Sequence, residues 1–287
     1  MMRPTAHKGD AAAEWDVARP PRPSRVPGVS MAGFHDRGSG GFDLRSVPHP
    51  AVTLVVEFGA GPLVVEDAAG LRQRGSVVAG LAPAVRVSGK NTECVQVRLS
   101  PVVAPAVLGV CPADLECAVV ALDDLWGRDG SRIREQLGET RSWGERFALM
   151  EASLMSRRAP GPTVDREVAW AWDRIVVNRG WVRVDELAVE IGWSRKRLWS
   201  RFRSQIGMPP KRAAKLIRFD HAAHRLSVGH GAADVAAEAG YVDQSHLHRD
   251  VLEFTGGRPS TMMEDTWLAV DDVAWASHGT FVQDPRP

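Results

Sequence analysis

Two copies of one short pattern, 48 residues apart, constrain the fold of this 287-residue chain more than any other feature. In the first copy, Leu187-Ala188 is followed by Gly192, and Ser194 then opens a new apolar-periodic run. In the second, Val235-Ala236 is followed by Gly240-Tyr241, and Asp243 stands where a cap is needed. A small alanine lets two helices approach closely. A glycine takes the positive φ of the turn between them, and a short Ser or Asp side chain caps the next helix. Leu198 and Phe202, and again Leu247 and Val251, lie at i and i+4 and anchor the second helix of each unit. The spacing predicts two helix-turn-helix units. Between them Pro210 opens a helix to about Leu226, which would fix their separation. Two such units on one rigid linker can enter successive major-groove segments on one face of a duplex, about 34 Å apart.

Charge supplies the partner, although the total hides it. The chain has 36 Lys+Arg against 35 Asp+Glu, a formal +1. Residues 1–162 carry 19 basic and 18 acidic residues, residues 163–262 carry 16 and 12, and residues 263–287 carry 1 and 5. The window Ser194 to Arg218 holds nine cations and no acid: Arg195, Lys196, Arg197, Arg201, Arg203, Lys211, Arg212, Lys215 and Arg218. Such a window can collect a phosphate backbone, because each neutralised phosphate releases condensed counterions. A solvated helix face would have the same composition. With Leu198 and Phe202 turned inward, Arg195, Lys196, Trp199 and Ser200 fall on other faces of the first recognition helix. Gln244, Ser245, His248 and Arg249 fall on the outer side of the second.

The N-terminal half has a different period. Met1 to about Ser30, with five prolines among scattered charges, reads as a disordered arm. Between Ala51 and Leu99, Val52, Leu54, Val56 and Phe58 recur every second residue, and Glu93 to Leu99 alternates likewise. Glycines punctuate this stretch as turns, predicting a small antiparallel sheet or barrel. Short helices follow over Val102–Leu108, ended by Gly109, and over Ser131–Leu137. A longer one spans Ser142–Ser156, with Ser142 and Glu145 in capping-box spacing. The Pro/Gly-bearing break Arg157–Pro162 marks a domain boundary. The expected organisation is therefore an arm (1–30), a β-rich domain with a helical tail (31–160), an all-α domain (163–262) and an acidic tail (263–287). Trp267, Leu268, Val273, Trp275 and Phe281 could let part of that tail dock. The fold class is α+β.

Several classes are disfavoured. No apolar run reaches the roughly 18–20 residues of a membrane helix, so no membrane partner is expected. The first 15 residues lack an apolar signal-peptide core, which points to the cytoplasm. Cys94, Cys111 and Cys117 cannot all pair and form no CxxC, which suits a reducing compartment and argues against structural zinc. Cys111 and Cys117 read as small buried residues. His246 and His248, at i and i+2, point to different faces of a helix, and His221 and His224 lack a third ligand. No metal, cofactor or catalytic set is expected. Arg98 on its strand could bind an anionic effector or sit in a salt bridge.

The stretch Val184-Asp185-Glu186-Leu187-Ala188, Gly192-Trp193-Ser194, Leu198, Phe202, Gly207-Met208-Pro209-Pro210, Arg218-Phe219, Val235-Ala236, Gly240-Tyr241, Asp243-Gln244-Ser245-His246, Arg249, Gly256 and Pro259 resembles the DNA-binding domain of AraC/XylS-type transcriptional regulators. The resemblance covers about 100 residues, both units and the linker helix included. It implies that Lys196, Trp199 and Ser200 in the first unit, and Gln244, Ser245, His248 and Arg249 in the second, face the major groove. Lys or Arg can donate to guanine, Gln can bind adenine bidentately, and Ser or His can reach bases or phosphates. Arg195, Arg197, Arg201 and Arg203 would contact the backbone collectively. Ser200 stands where many members have Arg, Arg183 replaces a hydroxyl cap, Asp250 adds a negative charge beside the second recognition helix, and Gly257-Arg258 widens the closing turn. These departures bear on base preference more than on fold, and suggest that the first unit anchors while the second adjusts. Val97–Pro101, Ala106–Val110 and Val120–Gly127 are similar to the sensor region of a subset of these regulators.

The leading reading is a sequence-specific transcriptional regulator, not an enzyme. Its partner is double-stranded promoter or operator DNA, and its N-terminal domain acts through a small-molecule effector or a homodimer, with RNA polymerase as a further contact. The competing readings are a DNA-alkyl repair enzyme carrying the same DNA-binding module, which the three spread cysteines disfavour, and an effector-free interaction protein.

Overall fold

A computed structural model describes residues 15–67, 69–81, 84–115, 118–157, 163–257, 271, 274 and 275. The N-terminal half builds ten strands: β1 (Trp15–Ala18), β2 (Val29–Asp36), β3 (Phe42–Arg45), β4 (Val52–Glu57), β5 (Val64–Glu66), β6 (Arg72–Arg74), β7 (Val77–Ala79), β8 (Arg86–Gly89), β9 (Glu93–Leu99) and β10 (Val119–Ala121). They form two antiparallel sheets, of order β1-β2-β9-β4-β7-β10 and β3-β8-β5-β6. Val65 and Val87 of the small sheet share an apolar cluster with Val77 and Val119 of the large one, so the sheets face each other.

In the large sheet β9 is central, pairing Val97 with Met31 on one side and Leu54 on the other. Val95, Val97 and Leu99 point to the helices that follow, and all are fully buried. The alternating Cys94, Gln96 and Arg98 are buried as well. Alternation here does not mark a solvated face. It separates a wholly apolar layer from a mixed one that the second sheet and the residues Asp271, Ala274 and Trp275 cover between them.

Around this sandwich lie α1 (Ala104–Leu108), a 3-10 turn (Pro112–Leu115), α2 (Leu122–Trp126), α3 (Arg128–Glu139) and α4 (Trp143–Arg157). Gly109 ends α1 in the left-handed region, as its position after Leu108 predicts. The Ser142 hydroxyl accepts from the Glu145 amide at 3.3 Å and donates to its carboxylate at 2.9 Å, closing the N-terminus of α4. Trp143 then lies flat on β2, where a Cβ at Gly33 would come within 2.3 Å of its ring.

The arm expected over 1–30 is corrected from Trp15 onward, residues 1–14 lying outside the described residues. β1 pairs with β2, and Trp15 packs edge-on against Phe42 at 4.7 Å. Val26 is 1% exposed, while the Ser24 hydroxyl and the Arg25 amide both donate to Glu151. Prolines there remove regular structure without removing order, because an aromatic and a valine find burial.

The helical half comprises α5 (Arg166–Val177), α6 (Val184–Glu190), α7 (Arg195–Ile206), α8 (Pro210–Ser227), α9 (Ala232–Glu238) and α10 (Gln244–Thr255). One contiguous core runs from Leu54, Leu99 and Met150 through Trp172 and Phe202 to Leu226 and Leu247. Within the segment expected to be an acidic tail, Asp271, Ala274 and Trp275 are helical and buried.

Candidate nucleic-acid interface

The two helix-turn-helix units repeat each other bond for bond. In the first, Leu187 and Ala188 are buried on α6, Gly192 turns at φ 68°, and the Trp193 amide donates back to the Ala188 carbonyl at 2.9 Å. In the second, Val235 and Ala236 are buried on α9, Gly240 turns at φ 69°, and Tyr241 donates to Ala236 at 2.8 Å. The Ser194 hydroxyl accepts from the Arg197 amide at 3.2 Å and caps α7, while Asp243 accepts from His246 at 2.7 Å and caps α10. Leu198, Phe202, Leu247 and Val251 are fully buried.

These anchors leave one face of each recognition helix free. Arg195, Lys196, Arg197, Trp199, Ser200, Arg201 and Arg203 are exposed on α7, and Gln244, Ser245, His248 and Arg249 are exposed on α10. Several are already steadied. Arg197 lies 4.4 Å over the Trp193 ring and Arg203 lies 5.4 Å over Trp199, itself 45% exposed. The Gln244 amide stands 3.3 Å from His248 Nε2, and Arg249 Nε donates to the Ser245 carbonyl at 3.4 Å. Arg201 is drawn to Asp165 at 2.7 Å, so this member of the set expected to meet phosphates is neutralised within the protein.

The nine-cation window divides in space. Lys215 turns under α10 to pair with Asp250 at 2.9 Å and with Glu253, and Arg218 lies 4.9 Å over Tyr241. Asp250, expected as a negative charge beside the second recognition helix, is 1% exposed and faces the linker helix instead. It neutralises Lys215 and leaves the outer face of α10 without it. Lys211 and Arg212, at the start of α8, are exposed and carry no ion pair among the described residues. They extend the basic surface beyond α7. The charge window contained them, but helix-face reasoning did not single them out. Arg183 precedes α6 without capping it by a side-chain hydrogen bond, as its non-hydroxyl side chain requires.

Both recognition helices end on the N-terminal domain, and no local sequence pattern announced this. Gly207, which closes α7 at φ 92°, sits against the Pro112 carbonyl of the 3-10 turn. Arg45 of β3 donates to the Thr255 carbonyl at the end of α10. A third link, away from the recognition helices, runs through Arg98, which is paired with Asp271.

Between the two sheets lies a cavity of about 80 Å³ with Phe34, Phe42, Val55 and Val87 among its walls and, among the described residues, no lining side chain of fixed charge. His49 and Thr92 are polar members of the lining, and His49 Nδ1 and Thr92 Oγ1 have no hydrogen-bond partner among the described residues. Thr53 Oγ1 is 3.1 Å from His49 Nε2. Burial, with the nearby Arg98 charge, pushes the His49 pKa down to about 3, so its imidazole is neutral. Cys94, also on the wall, is pushed up to about 12 by burial and the nearby Glu57 and Glu93 carboxylates, and is an inert thiol. Cys111 is half-buried, and Cys117 lies outside the described residues.

Two helix-turn-helix units that share a linker and present exposed basic and amide side chains form a domain of the kind that binds double-stranded DNA. Residues 187–265 match the helix-turn-helix domain family. Among solved structures, ToxT from Vibrio cholerae is 11% identical, with 84% of this chain and 100% of ToxT covered at a TM-score of 0.47. The C-terminal domain of the response regulator AraT from Geobacillus stearothermophilus is 18% identical over 35% of this chain and 85% of its own, at 0.33. The AraC-like transcriptional activator CuxR is 14% identical over 84% and 93%, at 0.30. No curated protein matches the chain. Among the described residues, no helix is long and apolar enough to cross a membrane.

Proposed function

We propose that the chain is a sequence-specific regulator of transcription that reads double-stranded operator DNA through the outer faces of α7 and α10. Lys196, Trp199 and Ser200 would enter one major-groove segment, and Gln244, Ser245, His248 and Arg249 the next. Arg195, Arg197 and Arg203, joined by Lys211 and Arg212, would hold the phosphates, with Arg201 available once it leaves Asp165. The observation that carries this reading is the division of each recognition helix into a fully buried apolar stripe and an exposed polar one.

The N-terminal domain would modulate that reading through a small-molecule effector or through dimerisation. The uncharged cavity between the sheets supports a small, largely apolar effector with one hydrogen-bonding group for His49 or Thr92. The contacts at Gly207 and Thr255 supply a route by which its occupancy would bias the spacing of the two recognition helices.

Mapping of bound genomic DNA, followed by titrations of the recovered site at several salt concentrations, tests the reading. Lys196→Ala and Arg249→Ala should each weaken specific binding about tenfold. Equal binding by both variants at every salt concentration would remove the assignment of these side chains.

A further inference from the structure

The C-terminal residues that follow the DNA-binding domain return to the N-terminal one. Arg98 on β9 donates to one carboxylate oxygen of Asp271, and the other oxygen stands 3.5 Å from His224 Nε2 on the linker helix α8. Arg98 and Asp271 are 6% and 4% exposed. The Arg98 guanidinium also lies 4.2 Å over the Trp275 ring. Trp275 and Ala274 complete an apolar cluster with Ala32, Phe34 and Cys94 on the mixed face of the large sheet. His224 is held from its other side by Asp220, whose carbonyl lies 2.8 Å from Nδ1.

We propose that the segment carrying Asp271, Ala274 and Trp275 is an intramolecular strap that ties the N-terminal sheet to the linker helix, with the Asp271 carboxylate shared between a cation of each domain. A carboxylate in such a position cannot leave without stranding Arg98 among apolar groups, and removing one partner of a buried pair is far more costly than forming it is favourable. The strap therefore has two seated ends. The Trp275 end fills the sheet face, and the Asp271 end grips α8 one turn before its C-terminus. Phe34 and Cys94 belong both to this seat and to the wall of the neighbouring cavity. Whatever fills the cavity acts on the side chains that hold the strap. The acidic residue Asp271 thus meets its cations between the domains rather than over the recognition helices. This inference stands on interdomain contacts and does not depend on which DNA is read.

Hydrogen exchange followed by mass spectrometry on the full chain tests the strap. Asp271→Asn and Trp275→Ala should each speed exchange at least tenfold both in the peptide spanning 271–275 and in residues 220–227 of α8, with α7 unchanged. His224→Gln leaves the Arg98–Asp271 pair and the sheet core in place, and keeps the test open should either of those variants fail to fold. It should loosen the same two segments together. Faster exchange in 271–275 with 220–227 unchanged would reduce the segment to a passive cover of the sheet. Absence of protection at 271–275 in the parent chain would end the proposal outright.

Discussion

The backbone of Gly207 lies so close to Pro112 that a Cβ there would stand 2.8 Å from the Pro112 carbonyl oxygen. One residue thus closes the first recognition helix and forms one of the contacts between the two domains. Its φ of 92° already disfavours a side chain. Gly192 offers an internal comparison, with φ 68° and nothing within 4 Å of an added methyl. Gly192→Ala should cost about 1 kcal/mol, the left-handed penalty alone. Gly207→Ala should cost about 2–3 kcal/mol, because the clash with Pro112 adds to it. Urea unfolding of the two variants side by side reads the difference, and equal losses would mean that the interdomain contact yields freely.

The second turn carries a tighter restriction. A Cβ at Gly240 would fall 1.2 Å from the Trp181 ring, which covers that turn. Gly240→Ala should unfold the second unit locally, seen as lost protection of α9 and α10. Adding Trp181→Ala should restore part of it, because the ring is the obstacle. Failure of the double variant to recover any protection would place the whole cost in the left-handed backbone.

The cations of the basic window should separate by experiment. Lys211→Gln and Arg212→Gln should leave the melting temperature unchanged and each lower the salt slope of DNA binding by about 0.9. Lys215→Met should do the reverse. It strands buried Asp250 and should cost about 3 kcal/mol of stability with little change in slope. A Lys215 variant as stable as the parent would show that the pair with Asp250 contributes no net stability.

Two histidines should shape the stability against pH. Burial and Arg98 hold His49 near 3, so the folded chain refuses a proton that the unfolded chain accepts near 6.5. Its contribution is present above pH 6.5 and drains away as pH falls toward 3. For His224, burial alone would lower the pKa, but Asp220 and Asp271 overcome it and raise it to about 10. Its contribution is present below pH 6.5 and is lost as pH rises through 10. Against burial, Arg98 and His224 lower Asp271 to about 2, which protects the strap down to strongly acidic pH. In denaturant titrations, His49→Asn should flatten the acid limb between pH 6.5 and 3, and His224→Gln the alkaline limb between 6.5 and 10. Unchanged limbs in both variants would contradict these assignments.

Local periodicity made the helical half legible. The caps at Ser194 and Asp243, the turns at Gly192 and Gly240 and the anchors Leu198, Phe202, Leu247 and Val251 all stand where spacing alone puts them, because each depends on neighbours within a few residues. β9 was equally plain. Its partners were not, since pairing and the burial of Cys94, Gln96 and Arg98 depend on strands far away in the chain. The same distance hid β1. Its four residues become a strand only beside β2, and composition over residues 1–30 reported the prolines more strongly than Trp15. Asp250 was visible as a charge but not as a partner, because Lys215 reaches it from another helix. Arg45–Thr255, Gly207–Pro112 and Asp271–His224 are contacts between segments with no common pattern.

The core that runs unbroken from Leu54 to Leu247 has a thermodynamic meaning of its own. Two halves that share one interior are expected to couple in global unfolding, so that free energy delivered to either is felt by both. A small molecule that stabilised the sandwich would raise the melting point of the recognition helices by the same amount, and tight DNA would in turn stiffen the sandwich.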